Sequence, residues 1–300
     1  MNENRKALLA YLAVCFFWGS TYLAIRVGVQ DSPPLIFAGI RFIIAGSLML
    51  GYCKLKGYGL PKEKADITNM AIVGLLMLLC GNGLVVYAEQ WVSSGIASLI
   101  IATCPLFMAV IEFFFLKTIK MDLKTISGLL LGFGGVAYLI LGNAEVSVID
   151  LKGLIVLMLA ALFWAAGSIY SKVIKFKGHI FANIGTQMLA GGVGLIFVSL
   201  IKGEFAELHF TQNSVLALLY LIVFGSFVGY SSYIYILQKW SAAKAGTYAY
   251  VNPIVAIVLG ALLLGEKISI SVVISMIIVI IGIILVQSSK VEKLHSVKEK

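Results

Sequence analysis

The chain contains ten apolar stretches, each of roughly the 20 residues that a helix needs to cross a bilayer core about 30 Å thick, and the last five repeat the first five in order. The segment FFWGSTYLAIRVG around Trp18 resembles LFWAAGSIYSKVI around Trp164, and later parts of the two halves match through Pro105 and Pro253. Five crossings bring a chain to the opposite side of a membrane. The second copy must therefore lie inverted relative to the first.

We predict an all-α polytopic membrane protein with ten transmembrane helices, arranged as two inverted five-helix repeats. The first repeat is expected over residues 7–142, the second over 151–287, and a basic cytoplasmic tail over 288–300. Unbroken apolar runs such as LLLGFGGVAYLILG exclude transmembrane strands, which alternate apolar and polar residues. The predicted spans are 7–25, 34–53, 69–88, 95–117, 125–142, 151–170, 180–201, 214–237, 244–264 and 269–287.

Composition excludes a water-soluble globule. Apolar residues make up 60% of the chain and charged residues 12%, whereas a soluble domain has about 25% charged residues. Lys and Arg concentrate in the connections that share a side with the amino terminus, and loops rich in these residues stay cytoplasmic. We therefore expect a multi-pass protein of the inner or plasma membrane with both termini in the cytoplasm. The net charge of +9 reflects this topology and not nucleic-acid binding, and the basic tail is suited to contact anionic lipid.

Signatures of enzymes and of metal sites are missing from the sequence. There is no GxSxG, no GxxxxGK and no HExxH motif, so neither an activated serine, nor a phosphate-binding loop, nor a zinc protease site is predicted. The four cysteines lie in apolar spans and the three histidines lie in or beside loops, far apart. We expect a protein that is not an enzyme, with no cofactor and no metal.

Several segments resemble one family of transporters. They are FFWGSTYLAIRVG, the RFIIAG of the second span, and the paired GIASLIIATCPLF and AGTYAYVNPIVAIVLGALLLGE. Together they resemble the EamA-type branch of the drug/metabolite transporter superfamily over residues 8–287. The resemblance implies ten helices, cytoplasmic termini, two inverted EamA repeats and a central cavity, used for efflux of metabolites, amino acids or toxic compounds. One departure is that Thr118 stands opposite Glu266, which argues against symmetric acidic gates.

Polar and aromatic residues at matched positions predict a substrate cavity near the membrane midplane, between the halves. Aromatic side chains there can hold apolar or cationic groups through their ring faces. The alternative for each residue is ordinary helix packing. The predicted cavity residues are Trp18, Arg41, Asn82, Trp164, Gln187, Tyr230, Tyr248 and Asn252.

Ionisable residues inside the apolar spans give a second signal, because burying a charge is costly unless it is paired or hydrated. Arg41 lies roughly 10 Å inside the second span at about 1.5 Å per residue, and Glu89 is the nearest acidic residue in depth. We predict an Arg41–Glu89 ion pair or a shared water-filled vestibule. The alternative is that Arg41 snorkels to the interface. Two roles are open for Glu112. It is either a carboxyl that titrates or a residue that contacts headgroups or a neighbouring lysine.

Pro105 and Pro253 occupy matched positions in the fourth and ninth spans. A proline inside a helix frees a backbone carbonyl and kinks the helix, so both are candidate pivots. Static curvature of packed helices is the alternative.

These features predict a secondary transporter, an exporter of small organic metabolites, amino acids or drugs, that works by alternating access. The expected partners are a small-molecule substrate and the lipid bilayer, with a coupling proton left open. A passive channel or pore is the alternative, and a membrane enzyme the third reading. The sequence does not determine the substrate, the direction of transport or the oligomeric state.

Overall fold

The computed structural model of the chain describes residues 3–92, 94–116, 122–141, 151–174, 177–264 and 270–288, and these residues form helices joined by short connections. The tail beyond Ser288, the connection between the two halves, Thr118 and Glu266 lie outside the described residues. The helices of the first half are α1 (Glu3–Asp31), α2 (Pro34–Leu55), α3 (Lys64–Ala88), α4 (Ser94–Ile101), α5 (Cys104–Ile111, continued by the π-helical turn Glu112–Leu116) and α6 (Leu123–Leu141).

The second half has the same order of helices. They are α7 (Leu151–Val173), α8 (Ile180–Lys202), α9 (Gln212–Lys239), α10 (Ala242–Gly246), α11 (Tyr248–Leu264) and α12 (Ile270–Ser288), with a 3₁₀ turn at Glu204–Glu207 before α9. No strand occurs among the described residues. The predicted all-helical fold class is therefore confirmed for this part of the chain.

Six helices are long and apolar enough to cross a membrane, counted within the described ranges: α1, α2, α3, α7, α8 and α9. The other predicted spans coincide with the interrupted pair α4 and α5, with α6, with the pair α10 and α11, and with α12. The described apolar helices Cys104–Phe114 and Val273–Ser288 are shorter. The chain is thus a multi-pass membrane protein, while the number ten stays a prediction.

The second helix of each repeat packs against its counterpart, α2 against α8, and they run antiparallel. A methyl group added at Gly46 would lie 2.8 Å from the carbonyl oxygen of Gly185, whereas one added at Gly192 would lie 3.1 Å from that of Gly39. Early residues of α2 thus meet late residues of α8. The absence of side chains at these glycines lets the two backbones approach closely.

Helices α6 and α12, which occupy the fifth predicted span of each repeat, form a similar antiparallel contact. The backbone at Gly128 lies against that at Gly282 and Val286, and Gly135 lies against Val279. Gly128 and Gly132, four residues apart in α6, both lie against Gly282 and therefore serve packing within this chain.

The first helix of each repeat is inserted into the other repeat. Helix α1 packs against α9 and α11, and its counterpart α7 packs against α3, α4 and α5. This exchange places the middle of α1 and of α7 at the centre of the bundle. Residues on these two helices consequently face each other across the boundary between repeats.

The third helix of each repeat contains a π-helical segment at the same position. The segments are Leu75–Asn82 in α3 and Leu221–Tyr230 in α9. A π-helix shifts the backbone hydrogen-bond register by one residue and is often found at functional sites. Both segments end at residues that the sequence had placed in the cavity, Asn82 and Tyr230.

Candidate functional site

A cleft lies between the two repeats; about 550 Å³ of space free of atoms lies in and around it, and this volume includes open solvent. We call it the central cleft. Every predicted cavity residue except Gln187 lines it. Its lining consists of Trp18, Thr21, Tyr22, Ile25, Arg41, Phe42, Leu78, Asn82, Val85, Ile101, Trp164, Gly225, Tyr230, Tyr248 and Asn252.

Aromatic side chains from both repeats form the floor of the central cleft. The ring of Trp18 lies 5.3 Å from that of Trp164, edge to face, and 5.0 Å from that of Tyr248. Tyr233 packs 5.2 Å from Trp18, and its hydroxyl is 2.7 Å from the Ser168 hydroxyl. Edge-to-face and tilted contacts of this kind stabilise aromatic clusters. The matched tryptophans thus meet at the boundary between the repeats.

Each of these tryptophans lies against a glycine of the opposite repeat. A methyl group added at Gly81 would lie 2.9 Å from the Trp164 ring, and one added at Gly229 would overlap the indole nitrogen of Trp18. The two glycines occupy matched positions in the π-helical segments. The indole N–H of Trp18 donates a hydrogen bond of 2.9 Å to the carbonyl oxygen of Gly225.

Gln187, the counterpart of Arg41 in the second repeat, lies behind the cleft wall. It is fully buried, and its side-chain oxygen accepts a hydrogen bond of 2.9 Å from the hydroxyl of Tyr230. Gln187 therefore orients a cleft residue and does not line the cleft.

The structure does not form the predicted contact between Arg41 and Glu89. Arg41 is 4% exposed, its Nε donates a hydrogen bond of 2.9 Å to the hydroxyl of Ser226, and its guanidinium lies 4.7 Å from the ring centre of Phe42. The basic residue beside Glu89 is instead Arg26, whose Nη1 donates to the backbone carbonyl of Glu89. Arg26 lies within reach because α1 and α3 end on the same side of their repeat, a relation that span depth alone does not reveal.

The carboxylate of Glu89 is itself unusual. Glu89 is fully buried, and both side-chain oxygens lack a hydrogen-bond partner among the described residues. Asn82 in the cleft likewise has a buried side-chain oxygen without a partner. Such groups are rare in native proteins, and each calls for an explanation such as a functional role or a bound water or ion.

The end of the bundle that carries the amino terminus is filled by side chains. Lys172 of α7 forms an ion pair of 3.3 Å with Glu112, and Glu112 accepts a hydrogen bond of 3.0 Å from the backbone N–H of Ala242 at the start of α10. Tyr11 of α1 packs its ring 5.5 Å from that of Trp240. Of the two roles left open for Glu112, the structure favours pairing with a lysine, although that lysine is distant in sequence.

The predicted pivots lie near interruptions in the helices. Ala102 and Thr103 separate α4 from α5 directly before Pro105, and Thr247 separates α10 from α11 six residues before Pro253, which lies inside α11. The fourth predicted span of each repeat is thus interrupted in its first half, before its proline.

Sequence reasoning missed several cleft residues on α1, and on α9 an aromatic residue that packs against Trp18. Thr21, Tyr22 and Ile25 follow Trp18 at the i+3, i+4 and i+7 positions that share one helix face. Tyr233 follows Tyr230 by three residues in the same way. Helical spacing from the predicted aromatic residues was the signal that identifies them.

The chain is similar to known transporters over most of its length. It is 39% identical over 262 residues to "Uncharacterized inner membrane transporter YedA" of Escherichia coli K12, covering 87% of this chain and 83% of that protein. It is 28% identical to "Uncharacterized transporter YoaV" of Bacillus subtilis over 93% of this chain and 95% of the relative. A crystal structure of another protein shares the fold, with a TM-score of 0.74 and 16% identity over 93% of this chain and 95% of the other.

Residues 5–141 and 151–288 each match the EamA-like transporter family. The two matches bear out the resemblance that the sequence motifs carried, and they agree with the paired helices and the cleft between them. The chain is therefore a transporter that belongs to the EamA-like family of the drug/metabolite transporter superfamily, with two EamA repeats.

Proposed function

We propose that this protein is a secondary carrier that exports a small organic solute across the cytoplasmic membrane by alternating access. In this proposal ten membrane-spanning helices form two repeats of opposite orientation over residues 7–142 and 151–287. Both termini and the tail 288–300 lie in the cytoplasm. The observation that carries the proposal is the central cleft, because matched residues of the two repeats meet there.

The antiparallel contacts of equivalent helices support the inverted arrangement. Helices α2 and α8 occupy the same place in their repeats yet run in opposite directions, as do α6 and α12. Two units related in this way have exchangeable environments, so each can adopt the conformation of the other. Exchange of the two conformations would open the site to alternate sides of the membrane.

The difference between the two ends of the bundle supports a carrier rather than a pore. At one end the central cleft is lined by the second half of α1, from Trp18 to Ile25. At the other end the Lys172–Glu112 ion pair and the Tyr11–Trp240 contact fill the space between the repeats. A carrier requires such a closed end opposite an accessible site, and the interruptions near Pro105 and Pro253 are the proposed hinges.

The proposal is tested by counterflow in proteoliposomes. Vesicles containing the full chain are loaded with a solute selected by comparing the metabolites that cells release with and without the protein, and uptake of the labelled solute is followed. A carrier produces a transient, saturable accumulation of label above equilibrium. A channel or pore, the alternative function, lets the label equilibrate without this overshoot. Empty vesicles provide the control.

Dependence of the same counterflow on an imposed pH gradient tests the coupling proton. Glu89 is the buried carboxyl that such a proton would occupy, because its oxygens have no hydrogen-bond partner in the described structure. A Glu89→Gln protein that keeps counterflow but loses its response to the gradient is the expected result for coupling. An unchanged response in this variant contradicts it.

A further inference from the structure

Arg41 is a buried cation whose charge no described acidic residue offsets. Its one described side-chain hydrogen bond is to the neutral hydroxyl of Ser226, and the aromatic ring beside it, Phe42, is also uncharged. The four ion pairs of the described residues do not include Arg41. A charged side chain at this depth is normally paired with another charge or with a functional ligand.

The nearest candidate for a protein counter-charge, Glu89, forms no ion pair with Arg41. The basic residue beside Glu89 is Arg26, which bonds to its backbone carbonyl. Arg41 lines the central cleft together with Gly225, against which its Nη2 is placed. Arg41 is therefore part of the cleft lining, and an anion that enters the cleft comes close to its guanidinium.

The rest of the cleft limits which anion fits. The rings of Trp18, Trp164, Tyr230 and Tyr248 line the cleft, so a ligand inside it would lie beside aromatic groups. Asn82 adds a side-chain oxygen without a donor, which suits an N–H or O–H group of a ligand. A guanidinium fork matches the two oxygens of a carboxylate in a bidentate arrangement.

On the basis of the proposed carrier function, we propose that the transported solute is an organic carboxylate with a flat apolar body, whose carboxylate pairs with Arg41. The apolar body lies against the tryptophan and tyrosine rings. The pairing supplies the counter-charge that the protein lacks, so the Arg41 charge is neutralised when the cleft is loaded.

Binding of three matched probes to the purified full-length protein tests this inference. The probes are radiolabelled 1-naphthylacetate, 1-naphthylacetamide and 2-(1-naphthyl)ethylamine, which share a ring system and carry a negative, a zero and a positive charge. The wild type is expected to bind the carboxylate at least about tenfold more tightly than the amide or the amine, the size of one charge-assisted pair. Equal binding of the three, or tighter binding of the amine, overturns the inference.

The variants assign the preference to Arg41. Arg41→Gln removes the charge and is expected to abolish the preference, whereas Arg41→Lys keeps the charge without the fork and retains part of it. Arg26→Gln is the matched control, since it removes a neighbouring arginine that does not line the cleft, and the preference should persist. A preference that survives Arg41→Gln contradicts the assignment.

A second measurement does not depend on the choice of probe. In a protein whose four native cysteines are replaced by serine, Asn82→Cys places one thiol in the cleft. An anionic sulfonatoethyl methanethiosulfonate should label it faster than the cationic trimethylammonium reagent, and Arg41→Gln should remove this difference. Equal labelling rates for the two reagents in the presence of Arg41 overturn the anion site, even if no naphthyl probe binds. If the labelling rates differ but none of the three probes binds, the claim that the solute has a flat apolar body is overturned.

Neither measurement requires transport. An anion preference in a protein without counterflow would leave the Arg41 anion site standing and remove the carrier function. Counterflow of amines or neutral solutes alone would do the reverse.

Discussion

Two basic residues at matched positions of the repeats, Arg26 and Lys172, bond to the backbone just after the third helix of their own repeat. Arg26 donates to the carbonyl of Glu89 after α3, and Lys172 donates to that of Trp240 after α9 at 2.5 Å. Lys172 also forms the ion pair with Glu112. Among the described residues, Arg26 forms no corresponding ion pair. In the proposed carrier, the extra ion pair of Lys172 would act as a lock that keeps the end with the amino terminus closed.

Removal of Glu112 should weaken this lock. Glu112 is 1% exposed and the Lys172 side chain 24%, so truncating Glu112 should cost less than the about 3–5 kcal/mol typical of a fully buried pair, because the remaining lysine charge is partly hydrated. Glu112→Ala is expected to lower the thermal unfolding temperature of the purified protein and to increase labelling of cysteines near Tyr11 from the cytoplasmic side. Both effects are measured on the same preparation.

The matched control is Glu3→Gln, which alters an exposed ion pair with Lys239 at 2.9 Å. Exposed pairs contribute little, so the unfolding temperature and the labelling should not change. Equal effects of the two substitutions would show that Glu112 has no special role in closing this end.

At the scale of helices, two contacts between equivalent elements connect the repeats. In the α2–α8 contact, Gly39 and Gly46 of the first repeat meet Gly185 and Gly192 of the second. The four glycines occupy matched positions, so both repeats carry the pair of glycines that lets the two backbones approach. The π-helical segments of α3 and α9 repeat in the same manner. Close packing at α2–α8 brings Arg41 and Gln187 to the centre of the bundle.

A side chain at Gly46 should force α2 and α8 apart. A methyl group there would lie 2.8 Å from the Gly185 carbonyl oxygen and 2.9 Å from the Leu189 nitrogen. Backbone atoms of a packed helix cannot move aside as a flexible side chain can, and overpacking typically costs about 1–3 kcal/mol. Gly46→Ala is expected to lower the unfolding temperature.

Gly51 in the same helix serves as the control. A methyl group there would have no heavy atom within 4 Å, and alanine is a better helix former than glycine. Gly51→Ala should therefore leave stability unchanged or raise it slightly. A loss of stability as large as that of Gly46→Ala would mean that the α2–α8 contact is not the cause.

For the whole molecule, the orientation of the repeats in the membrane follows from the relation between equivalent helices. Lys64 and Gln212 are the first residues of α3 and α9, and both are exposed. Because the repeats are proposed to be inverted, these two residues should lie on opposite sides of the membrane. The pair is a matched probe of topology at one position of the repeat.

Single cysteines at these positions test the orientation. In a protein without native cysteines, the thiol of Lys64→Cys should react with a membrane-impermeant maleimide only in inside-out vesicles, and that of Gln212→Cys only in intact cells. Each variant controls for the reactivity of the other. Reaction of both thiols from the same side would exclude the inverted arrangement and with it the alternating-access proposal.

The sequence by itself determined that the protein lies in a membrane, that its fold is helical and that its two halves are repeats. These properties depend on the length and composition of apolar runs and on the spacing between matched residues. All of these quantities can be read along the sequence without knowledge of the tertiary structure. Spacing also matched Trp18 with Trp164 and placed both in the predicted cavity, whereas their ring contact is known only from the structure. The family was therefore evident before the fold.

Only the tertiary structure decided which charges meet. Depth in the membrane suggested Glu89 for Arg41, but the rotation and register of α1, α2 and α3 place Arg26 beside Glu89 and leave Arg41 in the cleft. The Lys172–Glu112 pair joins helices from different repeats. Such contacts depend on helix rotation and on the packing of glycines between elements, because side chains at equal depth meet only when their helix faces point toward each other.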